Sequence, residues 1–413
     1  MSRKDEILCS PIKIGSKTAA NRFVMNAMEC CDSDEQGNPT QATYERYKNL
    51  YAGGAGIVIL EAITIGYESR ARQFQLSIME HNREPLKKFM DEMKQVNPNT
   101  INIFQLTHAG ELSNPDFSRR VCIKPLPGFG GDILSEQDVE DIIDQFAASA
   151  KIAYDVGADG VDLKLCHGYL GSQILRPYND REWKYGGSWE KRRQFAYDLY
   201  DRVRAAVPDK DFLIGSKVSI WEGFPGGCGS AGPDTAILDI SEMIDMVKGL
   251  DERGADFIIQ SAGSPSITLA LSQPDKHVPD QVYLHHTFQK AVKDVVKNAV
   301  VIGSAYSVFN KGNNELQARN KEENTMYFWG NKNIEDGVTD MIALGRQSLA
   351  DTHLPIKYIE GRDNEIKYCT ACDNCIEFLI RQKATGCATF NKPYTQALVA
   401  IRREEGKLKE KHT

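Results

Sequence analysis

No stretch of the 413-residue chain approaches the roughly 18 consecutive apolar residues that a membrane-spanning helix requires. The opening Met1-Ser-Arg-Lys-Asp-Glu6 has no hydrophobic run behind its charges, so no span and no secretory leader are expected, and the cytoplasm is the expected compartment. Basic charge is not in excess either. Lys and Arg number 50 against 57 Asp and Glu, a net charge of -7, which gives phosphates no counterion-releasing surface and argues against nucleic acid as a partner. Compositional bias is missing: 41% hydrophobic and 26% charged residues exclude a disordered or collagen-like chain. Finally, no Gly-x-Gly-x-x-Gly turn follows an early strand, which removes the signature of a doubly wound dinucleotide fold.

What is present is alternation. Short β-branched runs at 22–25, 56–62, 100–106, 160–165, 212–218, 257–261, 299–303 and 341–344 are separated by charged, helix-period stretches at 41–52, 84–95, 136–155, 188–206, 241–253 and 287–298. Eight βα units over about 350 residues are the arithmetic of a (β/α)8 TIM barrel, an α/β fold. The Gly-rich run 226–232 follows the fifth strand and reads as a loop of the active face. The polar insertion 310–333 exceeds an ordinary βα connection and reads either as a lid or partner contact or as a solvated loop. Residues 1–360 are expected to form the barrel, and 361–413 a small C-terminal segment whose charged tail, 402–413, reads as a solvated helix end.

Ten cysteines in a chain expected to stay reduced need an explanation other than disulfides. Six are scattered, at Cys9, Cys30, Cys31, Cys122, Cys166 and Cys228; the others are Cys369, Cys372, Cys375 and Cys387. Three thiols within one tight loop and a fourth further along suit a cuboidal iron–sulfur cluster. Structural zinc, which usually draws on two separated Cys-x-x-Cys pairs, and free thiols are the alternatives. Asp351 and His353 nearby read as surface residues rather than ligands.

Several motifs, in order, resemble the old yellow enzyme family of FMN-dependent oxidoreductases, in particular its iron–sulfur branch containing 2,4-dienoyl-CoA reductase and trimethylamine dehydrogenase. They are Asn21-Arg-Phe-Val-Met-Asn-Ala-Met28, Gly53-Gly-Ala-Gly-Ile-Val-Ile-Leu-Glu-Ala62, Gln105-Leu-Thr-His-Ala-Gly110, His167-Gly-Tyr-Leu170 with Tyr185-Gly-Gly-Ser-Trp-Glu-Lys-Arg-Arg193, Ala343-Leu-Gly-Arg346, and the cysteine segment. The resemblance implies FMN at the carboxyl end of the barrel strands. Ala27, Met28 and Ala62 would meet the ring, Gln105 its pyrimidine edge, and Lys217, where relatives carry Arg, would stabilise charge on the reduced flavin. Gly303, Ser304, Ala305, Gly345 and Arg346 would cradle the phosphate. The resemblance also implies a [4Fe-4S] cluster on the four clustered cysteines.

For a small-molecule substrate, Tyr169 would protonate one carbon of an activated double bond while the flavin delivers hydride to the other, with His167 polarising the carbonyl. Plain structural roles, a packed tyrosine and a satisfied histidine, are the bland alternatives. Two departures stand out: Lys164, where many relatives have histidine or tyrosine, and Glu29, where they carry Thr, Cys or His facing the flavin. Lys164 either pairs with Glu29 across the pocket, binds a substrate carboxylate, polarises a carbonyl, or faces the surface. Cys30 is one residue out of register for a covalent flavin link. The 261–265 loop lacks the histidine of the dienoyl-CoA reductases. An amine dehydrogenase or demethylase is the rival chemistry, with Tyr306, Trp221, Tyr178 and Phe224 as loose cage candidates, and an electron-relay subunit without catalysis is the third reading. The chain ends 22 residues after Asn391, whereas the branch continues into a further nucleotide- or flavin-binding region. Electrons are therefore expected to pass between the cluster and a separate electron-transfer flavoprotein or NAD(P)H-oxidising subunit, and a homo-oligomer is compatible with this.

Overall fold

The computed structural model describes residues 3–274, 279–309 and 325–411. Eight parallel strands close into a barrel in chain order: β1 Phe23–Met25, β2 Ile57–Thr64, β3 Ile101–Thr107, β4 Gly160–Leu165, β5 Leu213–Ser219, β6 Phe257–Ser261, β7 Val300–Gly303 and β8 Met341–Leu344, which pairs back onto β1. All eight coincide with the expected runs to within two residues at either end. Helices α1 Gln41–Ala52, α2 Arg83–Val96, α3 Glu136–Asp155, α4 Trp189–Ala206 and α5 Ser241–Glu252 follow the strands as expected. None of the described helices is long and apolar enough to cross a membrane.

Helix α6 departs from expectation, spanning Pro279–Val295 instead of 287–298. Its end is set by Asp251 at the close of α5, whose carboxylate accepts the backbone N–H groups of Lys297, Asn298 and Ala299 at 3.0, 2.9 and 2.8 Å. Those donors are held by a side chain and turn the chain into β7 rather than extending the helix. The insertion at 310–333 lies outside the described residues up to 324; from there Thr325 caps α7, Met326–Glu335, by accepting from the Phe328 N–H at 3.0 Å. A short α8, Leu354–Ile359, completes the ring of helices.

Alternate strand residues share a face, so one inward column packs the barrel floor with Val24, Ile57, Ile59, Ile101, Ile103, Leu213, Phe257, Ile259, Val300, Ile302, Met341 and Ala343. The hairpin Ile12–Ile14 with Lys17–Ala19 plugs the lower end through Ile14 and Ala19. Phe257 fills space that Gly215 leaves open: a Cβ there would stand 2.3 Å from the Phe257 ring. Further along the same column apolar residues give way to Gln105, Lys164, Lys217, Ser261 and Ser304, which face the carboxyl-terminal mouth.

The cysteine segment lies across that mouth. It carries α9, Asn374–Ile380, and α10, Lys392–Lys411, which share a small core of Phe378, Ala388 and Leu398. Its seams to the barrel are polar: Gln347 accepts from the Cys369 N–H at 2.8 Å and donates to the Lys367 carbonyl at 2.9 Å, and Thr385 N–H donates to the Cys30 carbonyl at 2.8 Å. Asp351 is buried rather than on the surface. It accepts from Lys357 Nζ at 2.7 Å and the Lys367 N–H at 2.9 Å, a clasp at the point where the barrel hands over to the segment. His353 is half-buried against Thr352. In the tail, Arg402–Gly406 continue α10 with mostly exposed side chains.

Candidate active site

A cavity of about 500 Å³ opens at the barrel mouth, walled by the strand ends below and by Cys375, Ile376, Leu379 and Ile380 of the cysteine segment above. The inward alternation of β3 to β8 brings Gln105, Lys164, Lys217, Ser304 and Gly345 to its lining. Ala27, Met28, Glu29, His167, Tyr169, Ala305 and Arg346 join them from the loops. Two expected residues stay outside. In β2 the register shifts between Leu60 and Ile63, a bulge that turns Ala62 away, and its carbonyl instead accepts from Gln75 Nε2 at 2.7 Å. Gly303 faces α6, where a Cβ would stand 2.3 Å from Gln289 Oε1.

Charge dominates the chemistry. Lys217 Nζ makes no hydrogen bond or ion pair among the described residues although its side chain is buried, and burial lowers its pKa. Asp162 lies beneath it, accepting from Gln105 Nε2 at 2.6 Å and from the Lys217 N–H at 2.7 Å; burial pushes its carboxyl up. On the opposite wall Glu29 is fully engaged. Tyr169 donates its hydroxyl proton to Oε1, Lys164 Nζ lies 3.4 Å from the same oxygen, and Arg72 Nε donates to Oε2 at 2.9 Å. Burial alone would raise this carboxyl, but the charges of Lys164 and Arg72 and the bond from Tyr169 outweigh it and bring it down to about 2. Lys164 Nζ also sits 3.3 Å from the centroid of the Tyr169 ring. Of the alternatives open for Lys164, the structure shows the pairing with Glu29, within a larger cluster.

Tyr169 is buried, and burial together with the Glu29 charge raises its phenol well above the usual range, so it keeps its proton. His167 adopts a left-handed backbone, φ 63°, and its Nε2 shares a 2.7 Å hydrogen bond with Ser261 Oγ. Burial and the facing Lys217 and Lys164 keep its ring neutral. Ala305 is also left-handed, φ 73°, an unusual posture for a residue with a Cβ. None of Tyr306, Trp221, Tyr178 and Phe224 is among the lining residues. Tyr306, for example, is fully buried between Gln289 and Asn333, each 2.8 Å from its hydroxyl. Cys30 is outside too, with its thiol directed to the Met28 carbonyl.

The donor set fits a flavin. Lys217 and the buried, unpartnered Gln273 Oε1 await polar partners in a cavity that protein atoms do not supply. The four clustered cysteines form no disulfide, and Cys372, Cys375 and Cys387 each act electrostatically on Cys369 or are acted on by it. Burial raises Cys369, with Cys387 and Cys372 adding to it, and pushes Cys375 up to about 12, with Cys369 adding to it, while Arg346 opposes both. Among the described residues no group of three or more His, Cys, Asp or Glu side chains is arranged to hold a metal ion.

The residues missed from the sequence are Arg72, Gln75, Asp162 and Asp373. Asp162 had a signal, a second charge two residues before Lys164 in an otherwise apolar strand; Arg72 had only a basic pair, Arg70 and Arg72, in the loop after β2.

Fold and site define a (β/α)8-barrel redox enzyme with its chemistry at the carboxyl-terminal mouth. Residues 7–365 match the NADH:flavin oxidoreductase / NADH oxidase family, and the chain belongs to it: it is a flavin-dependent oxidoreductase of the old yellow enzyme type, and FMN is the family's flavin. It is 28% identical over 380 residues to an NADH oxidase of Thermoanaerobacter brockii, covering 89% of this chain and 53% of that protein. It is 26% identical over 384 residues to an N,N-dimethylglycine/sarcosine dehydrogenase of Chromohalobacter salexigens (90% and 51%), and 27% identical over 411 residues to a cinnamate reductase of Clostridium sporogenes (94% and 58%). The chain spans about half the length of these curated relatives. Among solved structures, a 2-naphthoyl-CoA reductase complex superposes with a TM-score of 0.76 at 21% identity, over 92% of this chain and 56% of that one, a likeness of fold.

Proposed function

We propose that this protein reduces an activated carbon–carbon double bond of a small molecule, of enoate or enone type. In this reading Ala27, Met28, Gln105 and Lys217 hold the ring of FMN, and Ser304, Ala305, Gly345 and Arg346 its phosphate. FMN bound there supplies the hydride that adds to one carbon. Tyr169 gives its proton to the neighbouring carbon and is reprotonated from solvent, so two electrons and two protons are added in all. Neutral His167, steadied by Ser261, and Lys164 orient and polarise the carbonyl oxygen.

The observation that carries the reading is Tyr169, a phenol held protonated inside the cavity with the Lys164 ammonium 3.3 Å from its ring centroid. Cys369, Cys372, Cys375 and Cys387 hold a [4Fe-4S] cluster that carries electrons to and from a separate electron-transfer flavoprotein or NAD(P)H-oxidising subunit. Support comes from their spacing, Cys-x2-Cys-x2-Cys with a fourth cysteine further on, and from their lying near enough that Cys372 and Cys387 raise Cys369 and that Cys369 and Cys372 raise Cys375. An amine-oxidising use is the weaker reading, because the described residues lining the cavity form no aromatic cage and Glu29 is already neutralised. The test is anaerobic: photoreduced protein mixed with an enoate or enone should regain its oxidised flavin spectrum with formation of the saturated product, and mixing oxidised protein with amines should leave the spectrum unchanged. Flavin bleached by amines but untouched by enoates and enones would reverse the assignment.

A further inference from the structure

Resting on the double-bond reading, the lining of the cavity also speaks to the substrate's charge. Its ionisable side chains are Glu29, Arg72, Lys164, Lys217, Arg346, His167, Tyr169 and Cys375, with Glu29 the one carboxylate among them. At the Tyr169 end a single anion faces two cations. Both oxygens of Glu29 are taken, by Tyr169, Lys164 and Arg72. The cations are not exhausted: Arg72 spends only Nε on Glu29, and neither of its Nη groups meets an acceptor among the described residues; Lys164, besides lying over the Tyr169 ring, makes one hydrogen bond through its ammonium among the described residues, at 3.4 Å. A guanidinium with its Nη edge free is a fork matched to a carboxylate.

Arg72 is also held in place. Gln75, buried at the foot of the loop, accepts the N–H groups of Ala71 and Arg72 at 3.0 and 3.2 Å and anchors itself on the Ala62 carbonyl. From the other side, Gln382 of the cysteine segment accepts from the Gln73 N–H at 3.0 Å. A loop fixed at both ends positions a cation that Glu29 neutralises only in part. We propose that Arg72, together with Lys164, is a carboxylate receptor that selects an anionic, 2-enoate-type substrate for this active site. A neutral enone leaves the surplus charge uncompensated, and an ammonium substrate meets cations and no free carboxylate.

The test compares charge at constant shape. Flavin-loaded protein is titrated, without turnover, with 3-phenylpropanoate and with 3-phenylpropanamide, following the perturbation of flavin absorbance; cinnamate and cinnamamide are then compared as oxidants of the photoreduced protein. The expected result is carboxylate binding tighter than carboxamide by at least about tenfold, with Arg72→Gln collapsing that ratio towards one and Arg72→Lys retaining part of it. Equal or tighter binding of the carboxamide by the unaltered protein, or a ratio indifferent to Arg72→Gln, would overturn the proposal, and reduction of cinnamamide would still leave double-bond reduction standing. Carboxylate preference without oxidation of the reduced flavin by either compound would instead sink the double-bond reading and keep the receptor.

Discussion

Arg346 donates through Nη1 to Asp373 Oδ1 at 2.6 Å, and so ties the end of β8 to the loop between Cys372 and Cys375. Its Nη2 holds the Pro274 carbonyl at 2.6 Å. The residue proposed to face the flavin phosphate is therefore also a strut of the cysteine loop, so under the proposed function one side chain would serve both cofactor positions.

Replacing Arg346 should accordingly injure both positions. Arg346→Ala leaves a carbonyl and a carboxylate short of a donor, a cost of about 1–3 kcal/mol, and removes the positive charge proposed to face the phosphate. Flavin retained after gel filtration and iron per chain should fall together. Asp373→Asn should lower iron content more than flavin content.

Tyr169→Phe isolates the proton. Reoxidation of reduced flavin by an unsaturated acceptor should slow by about 10²–10⁴-fold, the usual worth of a placed general acid, with a far smaller effect on reduction of the flavin by its donor. Stopped-flow absorbance on each half-reaction separates the two. Equal loss in both would assign Tyr169 to flavin binding instead.

Glu29 links the site to acid stability. Its folded-state pKa, about 2, lies below its ordinary 4.5, so its contribution is complete above about 4.5 and drains away as pH falls through 2. That difference corresponds to about 3 kcal/mol, and Glu29→Gln additionally leaves Arg72 and Lys164 facing each other. Urea midpoints of variant and parent should be furthest apart near neutrality and converge on acidification. A gap that does not change with pH would mean that the carboxylate's charge adds nothing.

The barrel floor offers a check independent of chemistry. Gly215→Ala drives a methyl into the Phe257 ring, with a contact of 2.3 Å to relieve, and should cost about 1–3 kcal/mol in denaturant unfolding. Phe257→Leu in the same chain should return part of it.

The strands were legible because each is a short β-branched run between turn signals, and a buried parallel barrel requires that pattern everywhere. Residues on the strands, such as Gln105, Lys164 and Lys217, were placed correctly at the mouth because alternation fixes the facing once the register is known. Ala62 lies outside the cavity lining, and nothing in Leu60-Glu-Ala-Ile63 announces the register shift found there. Arg72 and Asp373 were invisible for another reason: their partners, Glu29 and Arg346, lie 43 and 27 positions away, in loops whose paths no periodicity encodes. The burial of Asp351 was missed likewise, because its acceptor role appears only once Lys367 returns to it.

The central claim, a flavin and an iron–sulfur cluster working in one chain, is tested most directly by anaerobic purification followed by flavin, iron, acid-labile sulfide and zinc assays. The account predicts about one FMN, four irons and four sulfides per chain, with iron and sulfide lost together in Cys387→Ser. One zinc without sulfide, or a colourless protein, would contradict it.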